Sequence, residues 1–159
     1  MLNYQQVPLP GGVLTVISEP SSDAVVFATF REPTKELSQL SSQLRRRSVP
    51  SIRKALEAYA DGDLTDIDAI AVQQPGSQFR QQAWSAMREI PAGEVMTYAQ
   101  LAARIGHPGA ARAAGTACAT NQIPIFIPCH RVVAARGLGG YAFGLPVKQQ
   151  LLDHEGRVQ

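Results

Sequence analysis

The residues most able to do chemistry lie in one segment, Asn121–Val133, in which an apolar stretch bounded by prolines leads to Cys129 and His130. Pro128 fixes its own φ angle and lacks an N–H donor, so Cys129 follows at a defined bend. If Pro128 opens a helical turn, the thiol lies in its first turn, where the helix dipole lowers the thiol pKa and favours thiolate. On the residues alone, a buried cysteine followed by a histidine is more often structural than catalytic, and the prolines on either side favour the alternative of a nucleophilic cysteine.

The neighbouring histidine is the candidate base for this thiol. Side chains adjacent in sequence rarely face each other in regular structure, so direct proton transfer from Cys129 to His130 is disfavoured and a relay through a water molecule is easier to build. A Cys-His hydrolase is another possibility, although it would need an oxyanion hole, an orienting carboxylate and multiple turnover. The other cysteine, Cys118, lies among small residues and is expected to be inert packing. Two cysteines and three histidines without ligand spacing predict no metal site, and no cofactor is expected.

Composition narrows the class of protein that could present such a thiol. The 159 residues suffice for one compact domain or two small ones, and 45% hydrophobic with 18% charged residues argues against disorder. No apolar run approaches the ~20 residues of a membrane span, and no signal peptide is evident, so a cytoplasmic location is expected. A formal charge of +2 does not by itself indicate a nucleic-acid binder. The Arg45–Arg47 cluster is interpreted as a solvated loop, with a phosphate-contacting role as the alternative.

Residues 1–72 are predicted to form a small α/β domain with an antiparallel sheet and one helix. Glycine and proline in Pro8–Gly12 predict a hairpin turn, and the apolar spacing in Ser51–Ala60 predicts a helix. Residues 73–77 are interpreted as a linker. The predicted strands are Leu2–Val7, Val13–Ile17, Val25–Phe30 and Asp66–Val72.

Residues 78–159 are predicted to be mostly helical. A first helix begins at Gln78, and Thr97 with Gln100 matches a capping box that starts a second helix at Tyr98, running to about Ile105. Glycines at 106 and 109 break that helix, and a third follows over residues 110–120. Two short helices around a tight turn have the outline of a helix-turn-helix.

The third predicted helix carries almost only small side chains, and Arg112 is its one long side chain. Such a surface is poor at reading base edges, which requires several long polar side chains. It suits close approach, either to a packed neighbouring helix or to a narrow DNA groove that Arg112 would probe. Taken alone, the pattern favours packing. The small residues are Ala110, Ala111, Ala113, Ala114, Gly115, Ala117 and Ala119.

The stretch Pro128–Val132, with Asn121 eight residues before the cysteine, resembles the active-site signature of the O6-alkylguanine-DNA alkyltransferases, also called methylated-DNA–protein-cysteine methyltransferases. The resemblance covers about half the chain, Gln78 to Gly156, and implies a ribonuclease-H-like N-terminal domain followed by a helical domain with a helix-turn-helix. Further motifs match in order: Phe79-x-x-Gln82-x-Trp84, Ile90–Pro91-x-Gly93-x-x-x-Thr97–Tyr98, Ala110–Ala111–Arg112–Ala113-x-Gly115, Gly140–Tyr141 and Leu151–Leu152-x-His154–Glu155–Gly156.

The resemblance assigns a role to each matching residue. It implies that Cys129 accepts the alkyl group, that His130 acts through water as the base, and that Glu155 orients the histidine. Asn121 is similar to the residue that supports the active-site loop, and Tyr98 to the tyrosine that lies near the guanine and rotates a phosphate. The alternatives are a Tyr98 hydroxyl in water, an Asn121 that caps a helix end in the left-handed conformation, and a solvated Glu155.

The same resemblance implies double-stranded DNA as the partner, bound through the minor groove with little sequence specificity. An alkylated guanine hides its O6 in the base stack, so the nucleotide must be flipped out, and Arg112 would fill the gap. With this resemblance, contact with a DNA groove replaces packing against a neighbouring helix as the preferred interpretation of the small-residue helix. The implied DNA contacts are Tyr98, Ala110, Ala111, Arg112, Ala113 and Gly115.

The implied reaction is a single transfer that leaves a thioether, so each molecule acts once. A monomer is expected; cooperative binding along DNA and acceptance of O4-alkylthymine stay open. The implied substrate pocket contains Tyr141, Ala142 and Phe143, and the bulk of Phe143 predicts a preference for small alkyl groups. The alternative function is a non-catalytic sensor that binds alkylated DNA, which the presence of Cys129 disfavours.

Overall fold

The first half of the chain builds a mixed sheet. The structure, a computed structural model, describes residues 1–31 and 43–156. Among these residues the strands are β1 (Leu2–Leu9), β2 (Gly12–Ser18), β3 (Val25–Thr29) and β4 (Leu44–Arg46), in the order β3-β2-β1-β4. The pairs β1–β2 and β2–β3 are antiparallel, as predicted, and the Leu9–Gly12 pairing confirms the hairpin with a turn shorter than expected.

Strand β4 corrects two predictions about this sheet. It pairs parallel to β1, so the sheet is mixed and not antiparallel, and it contains Arg45 and Arg46, which were interpreted as a loop. Arg45 donates to the side chain of Asn3 at 3.2 Å. The strand escaped prediction because its two arginines are exposed, which leaves three residues without an apolar face.

Helix α1 (Pro50–Ala60) confirms the helix expected here and buries Ile52, Leu56 and Tyr59. The predicted strand after it is wrong. Residues Asp66–Ala69 form a 3₁₀ turn, and only Val72 makes a β-bridge, with Val25. A short apolar run fits either structure by periodicity alone, and here the chain has a sheet neighbour only at its last residue.

The second half is helical, as predicted, although its last helix and two short strands were not anticipated. The capping box of Thr97 and Gln100 is present. Within the described part of the chain, no helix has the length and apolar character needed to cross a membrane. The elements are α2 (Gln78–Arg88), β5 (Met96–Thr97), α3 (Tyr98–Arg104), α4 (Ala111–Ala119), β6 (Val132–Val133), which pairs parallel to β5, and α5 (Leu145–His154).

The two halves share one buried core. The Ala28 N–H donates to the carbonyl of Gln122 at 2.9 Å, and Tyr59 reaches Glu155 at 2.7 Å. Within the segment interpreted as a linker, Gln74 is buried and donates to Asn121 at 2.9 Å. The segment therefore packs between the halves; the boundaries at 72 and 78, the ribonuclease-H-like type and the helix-turn-helix stay predictions.

Candidate active site

Cys129 begins a short 3₁₀ turn, Cys129–Arg131, directly after Pro128, so the predicted bend and the place of the thiol in a first turn are both confirmed. The residue is 7% exposed and lies in the wall of a cavity of about 300 Å³. Small side chains dominate that wall. The lining residues are Tyr98, Gly115, Cys118, Ala119, Cys129, Gly140, Tyr141 and Ala142.

The predicted lowering of the thiol pKa is wrong for this structure. Burial raises the pKa of Cys129, and the side chain of Asn121 and the charge of Lys148 offset only part of that rise. Removing the thiolate from water disfavours the charged form, and a turn of three residues has too few aligned peptides to compensate. The resting thiol is therefore protonated at neutral pH.

Asn121 braces the chain that leads to the cysteine. Its Nδ2 donates to the carbonyl of Ile127 at 2.9 Å, and its Oδ1 accepts from the Ile123 N–H at 3.0 Å. Between these two contacts, Ile125 adopts a φ of 73°, a left-handed conformation that is costly for a β-branched residue. The helix-cap alternative for Asn121 is wrong, since its amide closes the loop before Cys129 and Asn121 has no positive φ.

His130 and Glu155 form a buried pair. The His130 Nε2 lies 2.7 Å from Glu155 Oε2, and the histidine is fully buried. Burial lowers the pKa of His130 more than Glu155 raises it, so the imidazole is neutral at pH 7. Because a carboxylate only accepts, Nε2 carries the proton and Nδ1 is left as an acceptor. Among the described residues, no group hydrogen-bonds this buried Nδ1.

Two further residues complete the cluster around Glu155. Arg131 donates from Nε to Oε1 at 2.8 Å and from Nη2 to Oε2 at 3.1 Å, and the Tyr59 hydroxyl donates to Oε2 at 2.7 Å. Burial by itself raises the pKa of Glu155, but the bonds from His130 and Arg131 outweigh it and hold the pKa well below its usual range. The solvated alternative for Glu155 is therefore wrong. In the sequence, only the position of Arg131 within the active-site motif pointed to a role at this site, and nothing pointed to such a role for Tyr59.

Lys148, on α5, is a site residue that the sequence did not indicate. It is fully buried, and its ammonium donates to the carbonyls of Val132 at 2.7 Å, Leu138 at 2.5 Å and Gly140 at 3.0 Å. A lone lysine in an amphipathic helix is ordinarily solvated, so periodicity gives no hint of this role. Lys148 ties the segment after β6 to the helix and places a positive charge near Cys129.

Tyr98 lies at the first position of α3 and faces the cavity. Its hydroxyl accepts from the Gly140 N–H at 3.2 Å, so the alternative of a hydroxyl only in water is wrong. Burial raises the pKa of Tyr98, which keeps the phenol protonated. Gly139 has a φ of 75°, and a Cβ there would overlap the Tyr98 hydroxyl, so both its conformation and its contact require glycine.

Helix α4 presents one face to the cavity. Gly115 and Ala119 line it, and Arg112 lies on the same face one turn earlier, with its side chain exposed. Arg112 is therefore placed beside the cavity. The remaining predicted DNA contacts do not line it: Ala110 and Ala111 are half-buried and Ala113 is exposed.

Of the three residues of the predicted substrate pocket, Tyr141 and Ala142 line the cavity and Phe143 does not. The Phe143 ring does not belong to the cavity wall; it packs edge-on against Phe30 and Tyr141, each with ring centroids 5.6 Å apart. Its bulk therefore does not narrow the space at the thiol. Cys118, expected to be packing only, lies in the wall instead, and burial raises its pKa.

Within the described part of the chain, no group of three or more histidine, cysteine or acidic side chains could hold a metal ion. The site is instead a buried thiol on an apolar cavity, with a neutral histidine, an ionised glutamate and a phenol around it. This arrangement suits nucleophilic attack by sulfur and proton transfer to a small apolar or aromatic guest.

Comparison with known proteins gives the same family for the whole chain. Residues 78–157 match the model of the 6-O-methylguanine DNA methyltransferase DNA-binding domain. The chain is 39% identical to a methylated-DNA–protein-cysteine methyltransferase of Mycolicibacterium paratuberculosis, covering 99% of this chain and 94% of that protein. It is 49% identical to the protein of that name from Salmonella typhimurium over 102 residues, 64% of this chain and 60% of the relative's length.

Two solved structures extend the likeness to the fold. The O6-methylguanine methyltransferase of Mycobacterium tuberculosis superposes with a TM-score of 0.86 at 35% identity, covering 100% of this chain and 96% of that one. A structure of the same organism's protein in complex with DNA gives a TM-score of 0.83 at 35% identity and covers 96% and 92%. The small mixed sheet and the helical half thus recur together.

Proposed function

Because this chain belongs to the family of methylated-DNA–protein-cysteine methyltransferases, we propose that it repairs duplex DNA by moving the alkyl group of O6-alkylguanine onto Cys129. One observation carries the proposal: the Cys129 thiol lies in the wall of an apolar cavity while the adjacent His130 is held by Glu155. The Sγ–carbon bond forms as the carbon–O6 bond breaks. The product is a thioether, so each molecule is expected to react once.

The thiol must lose its proton before or during attack. Burial keeps Cys129 protonated at rest, and His130 offers a buried Nδ1 acceptor that no described residue occupies. A single water between Sγ and Nδ1 would carry the proton to the imidazole, and the ionised Glu155 stabilises the resulting imidazolium through Nε2. Asn121 and the charge of Lys148 favour the thiolate once it forms.

The departing guanine needs a proton where negative charge develops. The Tyr98 hydroxyl lies in the same cavity wall and remains protonated at neutral pH. We assign it as the donor to the guanine. In net terms the thiol proton ends on the dealkylated guanine, which stays in the DNA, and Tyr98 is reprotonated afterwards from the imidazolium or from solvent.

The guanine reaches the cavity only if its nucleotide leaves the helix, because O6 is hidden in a base-paired stack. Helix α4 supplies small residues for close approach to the minor groove, and the exposed Arg112 beside the cavity fills the vacated position in the stack. Since α4 has no further long polar side chain, we expect binding with little sequence preference. The binding unit that we propose is a monomer.

The test is an intact-mass measurement after incubation with a duplex carrying one O6-methylguanine. The expected result is one permanent methyl-sized gain per protein molecule, mapped by peptide mass to Cys129. Cys129→Ala should gain nothing, and the matched variant Cys118→Ala, which removes the other thiol in the cavity wall, should gain a full equivalent.

Two outcomes would overturn the proposal. Tight binding to the methylated duplex without a mass gain would indicate a lesion sensor, and release of more than one equivalent of product per protein would indicate a hydrolase. The same measurement with O4-methylthymine in place of O6-methylguanine defines the substrate range.

A further inference from the structure

Phe30 and Arg31, directly after β3, contact the segment that forms one wall of the thiol cavity. The Arg31 guanidinium donates from Nη2 to the carbonyl of Ala142 at 2.9 Å and lies 5.2 Å above the centre of the Phe143 ring. Phe30 packs edge-on against the same ring, with centroids 5.6 Å apart. A pair of residues in the sheet half therefore holds a segment of the helical half.

The held segment reaches the cavity directly. Tyr141 and Ala142 both line it, and Phe143 packs edge-on against Tyr141 at 5.6 Å. The contacts thus run from Phe30 and Arg31 through Phe143 and the Ala142 backbone to two wall residues, with no gap between them.

The rest of this segment is restrained from other sides. Lys148 holds the carbonyl of Gly140 at its start, and Gly144, with a φ of 97°, ends it where α5 begins. The β1–β2 turn also packs on α5, since a Cβ at Gly11 would approach Val147 to 2.9 Å. Among the described residues of the sheet half, Phe30 and Arg31 contact the part between Gly140 and Gly144.

We propose that Phe30 and Arg31 are positioning residues that set which O6 substituents the cavity accepts, by holding Tyr141 and Ala142 through Phe143. The inference rests on the proposed alkyl transfer and deepens it, giving the N-terminal half a role in substrate choice. Neither residue touches the reacting atoms. A wall displaced by even a fraction of an ångström misaligns a small methyl group for in-line attack, while it makes room for a larger substituent.

The experiment compares two duplexes, one with O6-methylguanine and one with O6-benzylguanine, in single-turnover reactions of the full chain at saturating DNA. For Arg31→Ala and for Phe30→Leu, the ratio of the benzyl to the methyl rate constant should rise about 3- to 10-fold over wild type. Arg31→Lys, which keeps a donor for the Ala142 carbonyl, should recover part of the wild-type ratio.

The matched control is Arg53→Ala. Arg53 also belongs to the sheet half and donates to a backbone carbonyl, that of Gln6 at 3.1 Å, but it lies away from the cavity. Its ratio should stay within about twofold of wild type, the scatter expected of distant, independent sites. Adding Phe30→Leu to Phe143→Leu should change the ratio no further, because Phe30 reaches the cavity wall through that ring. A ratio unchanged by Arg31→Ala and Phe30→Leu, or changed equally by Arg53→Ala, overturns the proposal.

A second measurement separates this inference from the proposed function. Iodoacetamide and the bulkier N-phenyl iodoacetamide alkylate thiols without DNA, and peptide mass identifies the labelling of Cys129. Arg31→Ala should raise the relative rate of the bulkier reagent. If the labelling ratio shifts while wild type shows no methyl transfer, the positioning role stands and the proposed function fails. If wild type transfers methyl but neither the labelling ratio nor the benzyl-to-methyl ratio shifts, the proposed function stands and the positioning role fails.

Discussion

Cys129 and His130 are neighbours in sequence, yet they face two regions of opposite character. The region around Glu155 is closed: its carboxylate accepts hydrogen bonds from Arg131, Tyr59 and His130, and all four side chains are buried. The region around Cys129 is a cavity of about 300 Å³ with mostly small walls. The Tyr141 hydroxyl there has no hydrogen-bond partner among the described residues.

Burial disfavours the charged form of both Glu155 and Cys129, and the difference lies in how far the groups around each of them offset that cost. At Glu155, hydrogen bonds and a buried arginine outweigh the cost of removing a charge from water, so the group stays ionised. At Cys129 the offsetting groups are too few, and the thiol stays neutral. The closed region around Glu155 gives His130 a rigid support. The open region around Cys129 leaves space for a guest molecule, together with a Tyr141 hydroxyl that no described residue hydrogen-bonds.

The largest effect should come from breaking the closed region. Glu155→Gln leaves the Arg131 charge buried without its carboxylate, which should lower the free energy of unfolding by about 3–5 kcal/mol in urea titrations. The control is Glu57→Gln, which removes an exposed pair with Arg53 at 3.3 Å and should cost no more than about 1 kcal/mol. Equal losses in the two variants would contradict the comparison.

The stability contributed by the Glu155 carboxylate should also depend on pH, in a direction that its lowered pKa sets. Because the folded-state pKa of Glu155 lies below its ordinary value of 4.5, its contribution is present above that pH and is lost as pH falls towards the folded-state pKa. The slope of unfolding free energy below about pH 4.5 should therefore be shallower in Glu155→Gln than in wild type.

The next largest effect should come from His130, which joins the closed region around Glu155 to the open region around Cys129. His130→Gln should slow methyl transfer about 100-fold at pH 7, since the thiol loses its base. Because the raised pKa of Cys129 keeps it protonated, the thiolate fraction of the variant, and with it the rate, should rise about tenfold per pH unit up to the thiol pKa. Wild type should show a flatter profile above pH 6.5, where His130 is already neutral. Parallel profiles would argue against the base role.

A smaller effect is expected inside the open region. Gly139→Ala places a Cβ against the Tyr98 hydroxyl at a backbone angle that disfavours alanine. The displaced phenol should slow methyl transfer about 10-fold at saturating DNA. Gly137→Ala is the control: its φ of 107° also disfavours alanine, but a Cβ there meets nothing within 4 Å. If both variants slow transfer alike, backbone strain and not the Tyr98 contact is the cause.

The smallest effect should come from the second cysteine of the open region. Cys118→Ala removes one polarizable atom from the wall and leaves Cys129, His130 and Glu155 untouched. The methyl-transfer rate should stay within about twofold of wild type, and the stability loss should be no more than about 1 kcal/mol for a half-buried small side chain. A loss of transfer as large as that of His130→Gln would give Cys118 a chemical role.

Local patterns predicted a large part of the fold and of the site. The capping box placed the start of α3, the glycine-proline turn placed the β1–β2 hairpin, and the proline placed the bend at Cys129. Each of these signals acts within a few residues, so it survives whatever packs around it. The resemblance to a known family added Asn121, Tyr98 and Glu155, which tertiary contacts bring to the cavity or to His130 beside it.

Where contacts come from distant parts of the chain, the predictions were wrong or absent. Strand β4 forms because β1 offers it an edge. The Phe143 ring was expected at the substrate but packs on Phe30, more than a hundred residues earlier. Tyr59 gave no local signal because its partner Glu155 lies 96 residues later, and Lys148 gave none because its contacts with backbone carbonyls depend on how the segment after β6 folds back on α5.

The sequence by itself determined the Cys129–His130 pair, the bend that presents it and the small-residue helix beside it. Only the tertiary structure decided the charge states, since the pKa of a thiol, an imidazole or a carboxylate depends on how much water it loses and which charges approach it. The loss of water and the approach of charges both arise from packing between distant segments. Because of that packing, Cys129 has a neutral thiol while the adjacent His130 is bound to an ionised Glu155.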